Sequence, residues 1–401
     1  MSVIPEAGLR LPEPSPTAIA ASLLLIDHLR GDIEASGGAL DFERYMARVL
    51  YDTQYGYYAA GQVGFGVDGD FITAPERSTL FGRCLAQQIA ELAGDGRVGR
   101  DVLEFGAGSG RLACDVLTAL DAAGQAPERY LIVDPSAALR ERQRATLAGL
   151  PEALRARVSW VDEVPEIFSG TVLANEVIDA LPVRRFVIRQ GQPRALAVSW
   201  GGERFVEVER AADADLIAAV EGIGRRRGEA LPEGFRSEYN ASQAAWLAGL
   251  SRARGPLAAL IFDYGWSTRE LYHFERRKGT LMCHYRHLAH DDPYVYPGLQ
   301  DITAHVDFSL LAEQARALGF DLAGYVTQAG FLLGAGGPRL FEQAYAQATD
   351  ETERYRLSSE FRALVMPTEM GERFKLLALT RGVPDSGHWM GLSVSNRIER
   401  L

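Results

Sequence analysis

Through the middle of the chain, short runs of apolar residues alternate with stretches whose apolar positions recur every three or four residues. Residues 102–105, 130–133, 158–161, 171–174 and 257–262 are the apolar runs, and 111–122 and 137–150 are amphipathic. The first pattern predicts strands and the second helices. Strands without polar alternation suit a parallel sheet covered by helices on both faces. The series resumes with a helix at 308–318 and a strand at 322–327, and 374–379 is expected as a last strand, antiparallel at the sheet edge. Upstream, helices are expected after a cap at Ser15 or Thr17, over 41–51 and over 80–92. Residues 339–364 read as one helix.

Between 176 and 263 the period changes. Residues 183–189, 195–200 and 204–209 alternate polar and apolar, with turns at 190–193 and 201–202, which predicts antiparallel strands. A helix over about 241–252 follows, and the whole reads as an insertion over the strand ends. A second insertion, 272–305, has no clear period. The expected divisions are therefore 1–95 (N-terminal helices and a glycine-rich loop), 96–182 (nucleotide-binding core), 183–255 (inserted module) and 256–401 (the rest of the core).

Composition narrows the class. The 401 residues are 47% hydrophobic and 24% charged, enough apolar content for a large core. A net charge of −11 disfavours non-specific nucleic-acid binding and suits a cationic partner such as a basic peptide. No apolar run reaches the roughly 18–20 residues of a membrane span, and no secretory leader is evident, so a cytoplasmic protein is expected. Three cysteines, Cys84, Cys114 and Cys283, do not make a disulfide framework.

The candidate chemistry lies at the ends of the predicted strands, where open parallel sheets bind ligands. Glu104, Asp134, Asn175, Glu176 and Asp263 all fall there. Gly106, Gly108 and Gly110 form a strand-to-helix loop, in which glycine permits a sharp turn and close approach of a ligand to the backbone. Asp134 ends the next strand and could accept from ribose hydroxyls. A dinucleotide and S-adenosylmethionine both suit this context. The G-x-G-x-G spacing departs from the dinucleotide G-x-G-x-x-G, and Glu104 would repel a pyrophosphate but attract the ammonium of a sulfonium cofactor. S-adenosylmethionine is the expected cofactor, and a nicotinamide oxidoreductase is disfavoured. Trp160 is either an adenine platform or core packing. His284, His287, His290 and His305 form a loose histidine group, and Cys283 only adjoins His284, so a zinc site is not predicted and no metal is expected.

The chain resembles the mitochondrial complex I assembly arginine methyltransferase family and its bacterial relatives. The matching segments are Gly56-Tyr57-Tyr58, Gly69-Asp70-Phe71-Ile72-Thr73-Ala74-Pro75-Glu76 with Phe81-Gly82, Glu104 through Gly110, and Val133-Asp134-Pro135-Ser136. They continue with Asn175-Glu176-Val177-Ile178-Asp179-Ala180-Leu181-Pro182, Asp263-Tyr264-Gly265, Asp301-Ile302-Thr303-Ala304-His305-Val306-Asp307-Phe308 and Met370-Gly371-Glu372-Arg373-Phe374-Lys375. They span about residues 51–379 in the family's order. Asp134 stands where the family usually has Glu, and Arg77 where an apolar residue is common.

The resemblance implies an α/β class I methyltransferase fold. That is a Rossmann-like, seven-stranded, mostly parallel sheet with an inserted antiparallel β/helical substrate module and an N-terminal helical segment. It implies methyl transfer from S-adenosyl-L-methionine to a protein guanidinium, with Glu176, Asp179 and Asp263 as catalytic candidates. Asp70, Thr73, Glu104, Gly106, Gly108, Gly110, Asp134, Pro135, Asn175 and Glu176 would face the cofactor, and His305 and Tyr264 the substrate. The implied partner is a protein, in the family's eukaryotic branch a respiratory-chain subunit in the mitochondrial matrix. A homodimer is compatible with this. The competing expectation is a cofactor-binding assembly module with little catalysis, whose insertions are partner surfaces.

Overall fold

The computed structural model describes residues 11–58, 73–383 and 388–401. Its contacts divide the chain into two compact units. One comprises Ile72–Ile178, Ala244–Gly265 and Phe308–Leu401, and the other Met1–Phe71, Asp179–Gln243 and Trp266–Asp307.

The first is the sheet unit. Its strands are β1 (Asp101–Phe105), β2 (Tyr130–Val133), β3 (Val158–Val161), β4 (Gly170–Asn175), β5 (Leu257–Trp266), β6 (Asp321–Thr327) and β7 (Phe374–Arg381). They lie side by side in the order β6-β7-β5-β4-β1-β2-β3. β1 to β5 run parallel, and β7 is antiparallel to both β5 and β6. The chain steps outward from β1 to β2 and β3, then returns to β4 on the other side of β1. Connections leaving the ends of β1 and β4 therefore diverge, and such a reversal opens the ligand crevice of an α/β sheet. The expected edge strand is in fact interior. β7 is buried along Lys375–Thr380, apolar apart from its two ends, and β6 closes the edge beside it.

Helices α1 (Thr79–Gly94), α2 (Arg111–Ala122) and α3 (Ala137–Leu147) belong to the same unit. One continuous core joins Phe81, Leu85 and Ile89 of α1 to Leu112 and Val116 of α2, to Val102 and Leu173 of the strands, and to Phe262, Phe331 and Leu376. α1 meets α2 closely because position 82 is glycine; a Cβ there would lie 2.7 Å from the Cβ of Asp115. The helix expected over 339–364 is two, Gly337–Gln347 and Glu351–Val365. Asp350 breaks it by capping the second, its carboxylate accepting from Glu353 N at 2.8 Å.

The second unit is built on the predicted antiparallel strands, observed as Arg184–Arg189, Gln192–Trp200 and Phe205–Ala211 and joined by Arg236–Tyr239 and Leu40–Asp41. Helix Ala214–Arg227 packs Leu216, Val220 and Ile223 against Phe186, Ile188 and Phe235. The stretch without periodicity holds a small sheet of Leu288–His290, Met282–Tyr285 and Asp301–Thr303. Strands of three or four residues are too short to show a period. Its hairpin turns through Arg286 and His287, both left-handed, as a tight two-residue turn requires. The units cut the chain away from the expected divisions. α1 and most of helix Ser242–Leu250 go with the sheet, while Trp266–Asp307 goes with the N-terminal helices and the antiparallel strands. Among the described residues no helix is long and apolar enough to cross a membrane.

Two glycines test the packing. A Cβ at Gly170 would stand 1.9 Å from the Asp101 carbonyl oxygen on β1, whereas one at Gly249, inside a helix, meets nothing within 4 Å. Gly170→Ala should cost about 2–4 kcal/mol by forcing β4 from β1. Gly249→Ala should stabilise by up to about 1 kcal/mol. Urea unfolding curves of both variants check this, and equal midpoints would refute the register described.

Candidate functional site

The loop leaving β1 depends on three left-handed residues, Gly106 at φ 58°, Gly108 at φ 53° and Gly110 at φ 85°. A side chain at any of them would be strained, and at Gly110 a Cβ would also press to 3.1 Å from Cα of Gln143. The loop's own bonds begin with Gly106 N donating to Val133 O at 2.9 Å and Gly110 N to Ala107 O at 2.8 Å. Its outward carbonyls are held by α3. Gln143 Nε2 donates to Gly108 O at 3.2 Å, and Thr146 Oγ1 to Ser109 O at 2.7 Å, one helical turn further on. The Ser109 hydroxyl is hydrogen-bonded to Glu76, which ties the Thr73–Glu76 segment to the loop. With its carbonyls engaged this way, the loop is a rigid backbone cradle.

Glu104 is 2% exposed, and its Oε2 accepts from Tyr130 Oη at 2.7 Å. Burial pushes its carboxyl up to about 7; the Tyr130 bond opposes that rise and the nearby Asp134 charge adds to it. Asn175 lies two residues beyond Leu173, the partner of Glu104 across the β1–β4 ladder, so both point to the same face of the sheet. Its Nδ2 donates to Glu176 Oε1 at 3.1 Å, while its Oδ1 is buried with no donor among the described residues. A buried acceptor left open costs free energy unless a ligand supplies the donor. Asp134, also buried, accepts from Ser136 N at 2.9 Å on Oδ1 and from Gln143 Nε2 at 2.7 Å on Oδ2. Each oxygen keeps one further acceptor position. Pro135 beside it is exposed, and Ser136 caps α3.

At the end of β4, Glu176 holds φ 54°, a left-handed conformation rare outside glycine, with its N–H on Phe262 O at 2.8 Å. Asp263 is fully buried at the neighbouring strand end. Its Oδ2 accepts from Ile178 N and its Oδ1 from Tyr264 N, each at 2.9 Å. Asp263 therefore braces the 176–178 turn through the backbone, and Tyr264 stands edge-on to Phe374. The chain here is a turn with no short helix.

The structure thus gathers Thr73, Glu104, Gly106, Gly108, Gly110, Asp134, Pro135, Asn175, Glu176, Asp263 and Tyr264 into the sheet unit. Asp179 and His305 belong to the other unit, where Asp179 O accepts from Ala304 N at 3.0 Å and the His305 ring stacks on Trp266 with centroids 4.4 Å apart. Asp70 lies outside the described residues. Trp160 is partly buried and packs against the core, one of its two expected roles. Its Nε1 donates to Gln143 Oε1 at 2.7 Å, and the Arg144 guanidinium lies over its ring. Gln143 and Thr146 were invisible in the sequence, because polar residues on a helix ordinarily face solvent; only the glycine turn packed against α3 gives them a role. No group of three or more His, Cys, Asp or Glu among the described residues could hold a metal ion.

Comparisons with known proteins agree with this geometry. A family model described as S-adenosyl-L-methionine-dependent methyltransferase matches residues 80–326. A Drosophila melanogaster protein named protein arginine methyltransferase NDUFAF7 homolog, mitochondrial, is 31% identical over 93% of this chain and 88% of its own length. The Homo sapiens NDUFAF7 is 28% identical over 88% of this chain and 83% of its own. A solved Burkholderia thailandensis protein, crystallised bound to S-adenosyl-homocysteine, shares 41% identity with a TM-score of 0.89, covering 98% of this chain and 100% of its own.

The buried acid makes a pH prediction. The folded protein keeps a proton on Glu104 up to about pH 7, which the unfolded chain releases near 4.5. Stability from this group therefore falls as pH rises from about 4.5 to 7 and stays low above. Glu104→Gln, which can still accept from Tyr130, should raise the unfolding free energy at pH 8 by about 2 kcal/mol and change it little at pH 4.5. Thermal melts at the two pH values check this; an equal shift at both would show that the carboxyl is not held neutral.

Proposed function

The chain belongs to the S-adenosyl-L-methionine-dependent methyltransferase family, and from that premise we propose that it methylates arginine side chains of a protein. The observation that carries the site assignment is the strained backbone of Glu176. A left-handed non-glycine residue costs on the order of 1–3 kcal/mol and persists only where its surroundings impose it. Here Phe262 and the Asp263 brace impose it. The names of the relatives support arginine as acceptor.

The residues fit the cofactor. The cradle of Gly106, Gly108 and Gly110 admits it against the backbone, and the open acceptor of Asn175, with Glu104 on the same face, suits its ammonium. Asp134 takes the ribose hydroxyls, and Thr73, Pro135 and Asp70 complete the cofactor surround. When bound, the sulfonium supplies an already activated methyl for in-line displacement. What remains for the protein is alignment. The Glu176 carboxylate accepts two guanidinium N–H groups and turns one nitrogen toward the methyl. The nitrogen forms its bond to the methyl as the sulfur–methyl bond breaks, and the proton it sheds passes to the Glu176 carboxylate and from there to solvent. Asp263 keeps Glu176 in place without touching the substrate. Asp179, His305 and Tyr264 are the proposed substrate contacts. A respiratory-chain subunit is the proposed protein class. The proposed compartment is the cytoplasm, or the mitochondrial matrix in a eukaryote; the mitochondrial names of the relatives favour the latter setting.

Glu176→Gln should keep the S-adenosyl-homocysteine Kd within a few fold of wild type and lower methyl transfer by about a hundredfold or more. Calorimetry gives the first number. Labelled methyl transferred into a cell extract, followed by acid hydrolysis and amino-acid analysis, gives the second. Label in methylarginine supports the proposal, and label in another amino acid overturns it. Tight cofactor binding with no protein labelled at all favours an assembly module. A Kd raised as much as turnover falls would place Glu176 against the cofactor instead.

A further inference from the structure

Gln143 is a fully buried polar side chain with a ligand on each side of its amide. Its oxygen faces a donor, Trp160 Nε1 at 2.7 Å. Its nitrogen faces two acceptors, Asp134 Oδ2 at 2.7 Å and Gly108 O at 3.2 Å. Only one amide orientation satisfies all three, since the flipped amide would set donor on donor and acceptor on two acceptors. The indole is steadied in turn by Arg144, whose guanidinium carbon lies 4.6 Å from the ring centroid. Ser136 N holds the other Asp134 oxygen at 2.9 Å, so the carboxylate is gripped by one donor on each oxygen.

We propose that Gln143 is the positioning residue of the cofactor site: it orients Asp134 to accept the two ribose hydroxyls, and Trp160 locks its amide in the orientation that does so. This rests on the reading of Asp134 as the ribose acceptor. The same amide couples that acid to the glycine loop, so the ribose acceptor and the backbone cradle are set by one side chain. Burial holds the Asp134 carboxyl above its ordinary range, and the Ser136 and Gln143 donors and the nearby Arg140 charge oppose that rise without cancelling it.

Gln143→Glu is the isosteric test. Trp160 can still donate to one of its oxygens, but the other then opposes Asp134 and Gly108 O, acceptor against acceptor. A single proton shared between the two carboxyl groups would restore a donor, so the defect is relieved at low pH. S-adenosyl-homocysteine Kd values are measured by calorimetry from about pH 5.5 to 8 for wild type, Gln143→Glu, Gln143→Leu, Trp160→Phe and Asp134→Ala. In wild type, affinity should rise with pH as Glu104 ionises. Gln143→Glu should reverse that slope, about tenfold or more weaker than wild type at pH 8 and close to it at pH 5.5. Gln143→Leu should be about ten- to a hundredfold weaker throughout. Trp160→Phe, which frees the amide without touching Asp134, should lose several-fold and keeps the test decisive if a Gln143 variant does not fold. A Gln143→Glu slope of the wild-type sign overturns the proposal, as does wild-type affinity in Gln143→Leu or Trp160→Phe. Asp134→Ala separates the two readings. If it loses affinity while the Gln143 variants do not, the ribose assignment stands and the positioning role falls; if it keeps affinity, the ribose assignment falls first.

Discussion

The reversal of strand order at β1 is the constraint on which the site depends. Once the chain has placed β2 and β3 on one side and β4 on the other, the loop after β1 must turn back sharply into α2 at the point where the sheet opens. Only left-handed backbone does this in so few residues, and three glycines supply it. The turn is then fixed from outside. α3 follows β2, packs against Gly110, and holds two of the loop's carbonyls through Gln143 and Thr146. The strand order and the cradle are therefore linked, since the outward step from β2 to β3 carries the helix that braces the loop.

Burial gives the surrounding polar groups their character. Glu104, Asp134 and Asp263 sit almost wholly out of water. A carboxylate there is costly unless hydrogen-bonded or paired with a cation. Glu104 has one neutral donor and stays protonated to about pH 7, while Asp134 has two donors. Asn175 holds a buried acceptor with no donor among the described residues. These are the groups that a cationic, hydroxyl-bearing cofactor would satisfy under the proposed site assignment.

The sheet strands and the loop were legible in the sequence because their signals are local. Residues 102–105 and 130–133 are apolar runs ending at an acid, and glycines between a strand and a helix have few other uses. The features that escaped depend on distant packing. β7 looked like an edge strand because nothing local shows that β6 pairs outside it. Helix 339–364 kept its period straight through Asp350, whose capping role shows only in the backbone turn. The 282–303 strands are too short to declare a period, and the Glu176 strain is a dihedral that no residue type announces. Gln143 is the plainest case. As a polar residue on α3 it resembles any solvated position until Gly108, Asp134 and Trp160 close around it.

The strand-end acids also change meaning once their oxygens are accounted for. From sequence, Glu176, Asp179 and Asp263 are all catalytic candidates, drawn from two separate segments of the chain. In the structure Asp263 is fully buried and each of its oxygens accepts from a backbone N–H, which ties it to the 176–178 turn. Glu104, on the glycine-loop strand, is hydrogen-bonded to Tyr130 of β2, and Asp134 to Ser136 and Gln143. Among the sheet unit's strand-end acids, Glu176 alone combines a strained backbone with a side-chain neighbour, Asn175, that itself bears an open acceptor. The acids are told apart by the donors that fold onto each carboxylate: backbone N–H groups on Asp263, a backbone N–H and the Gln143 amide on Asp134, the Tyr130 hydroxyl on Glu104 and the Asn175 amide on Glu176.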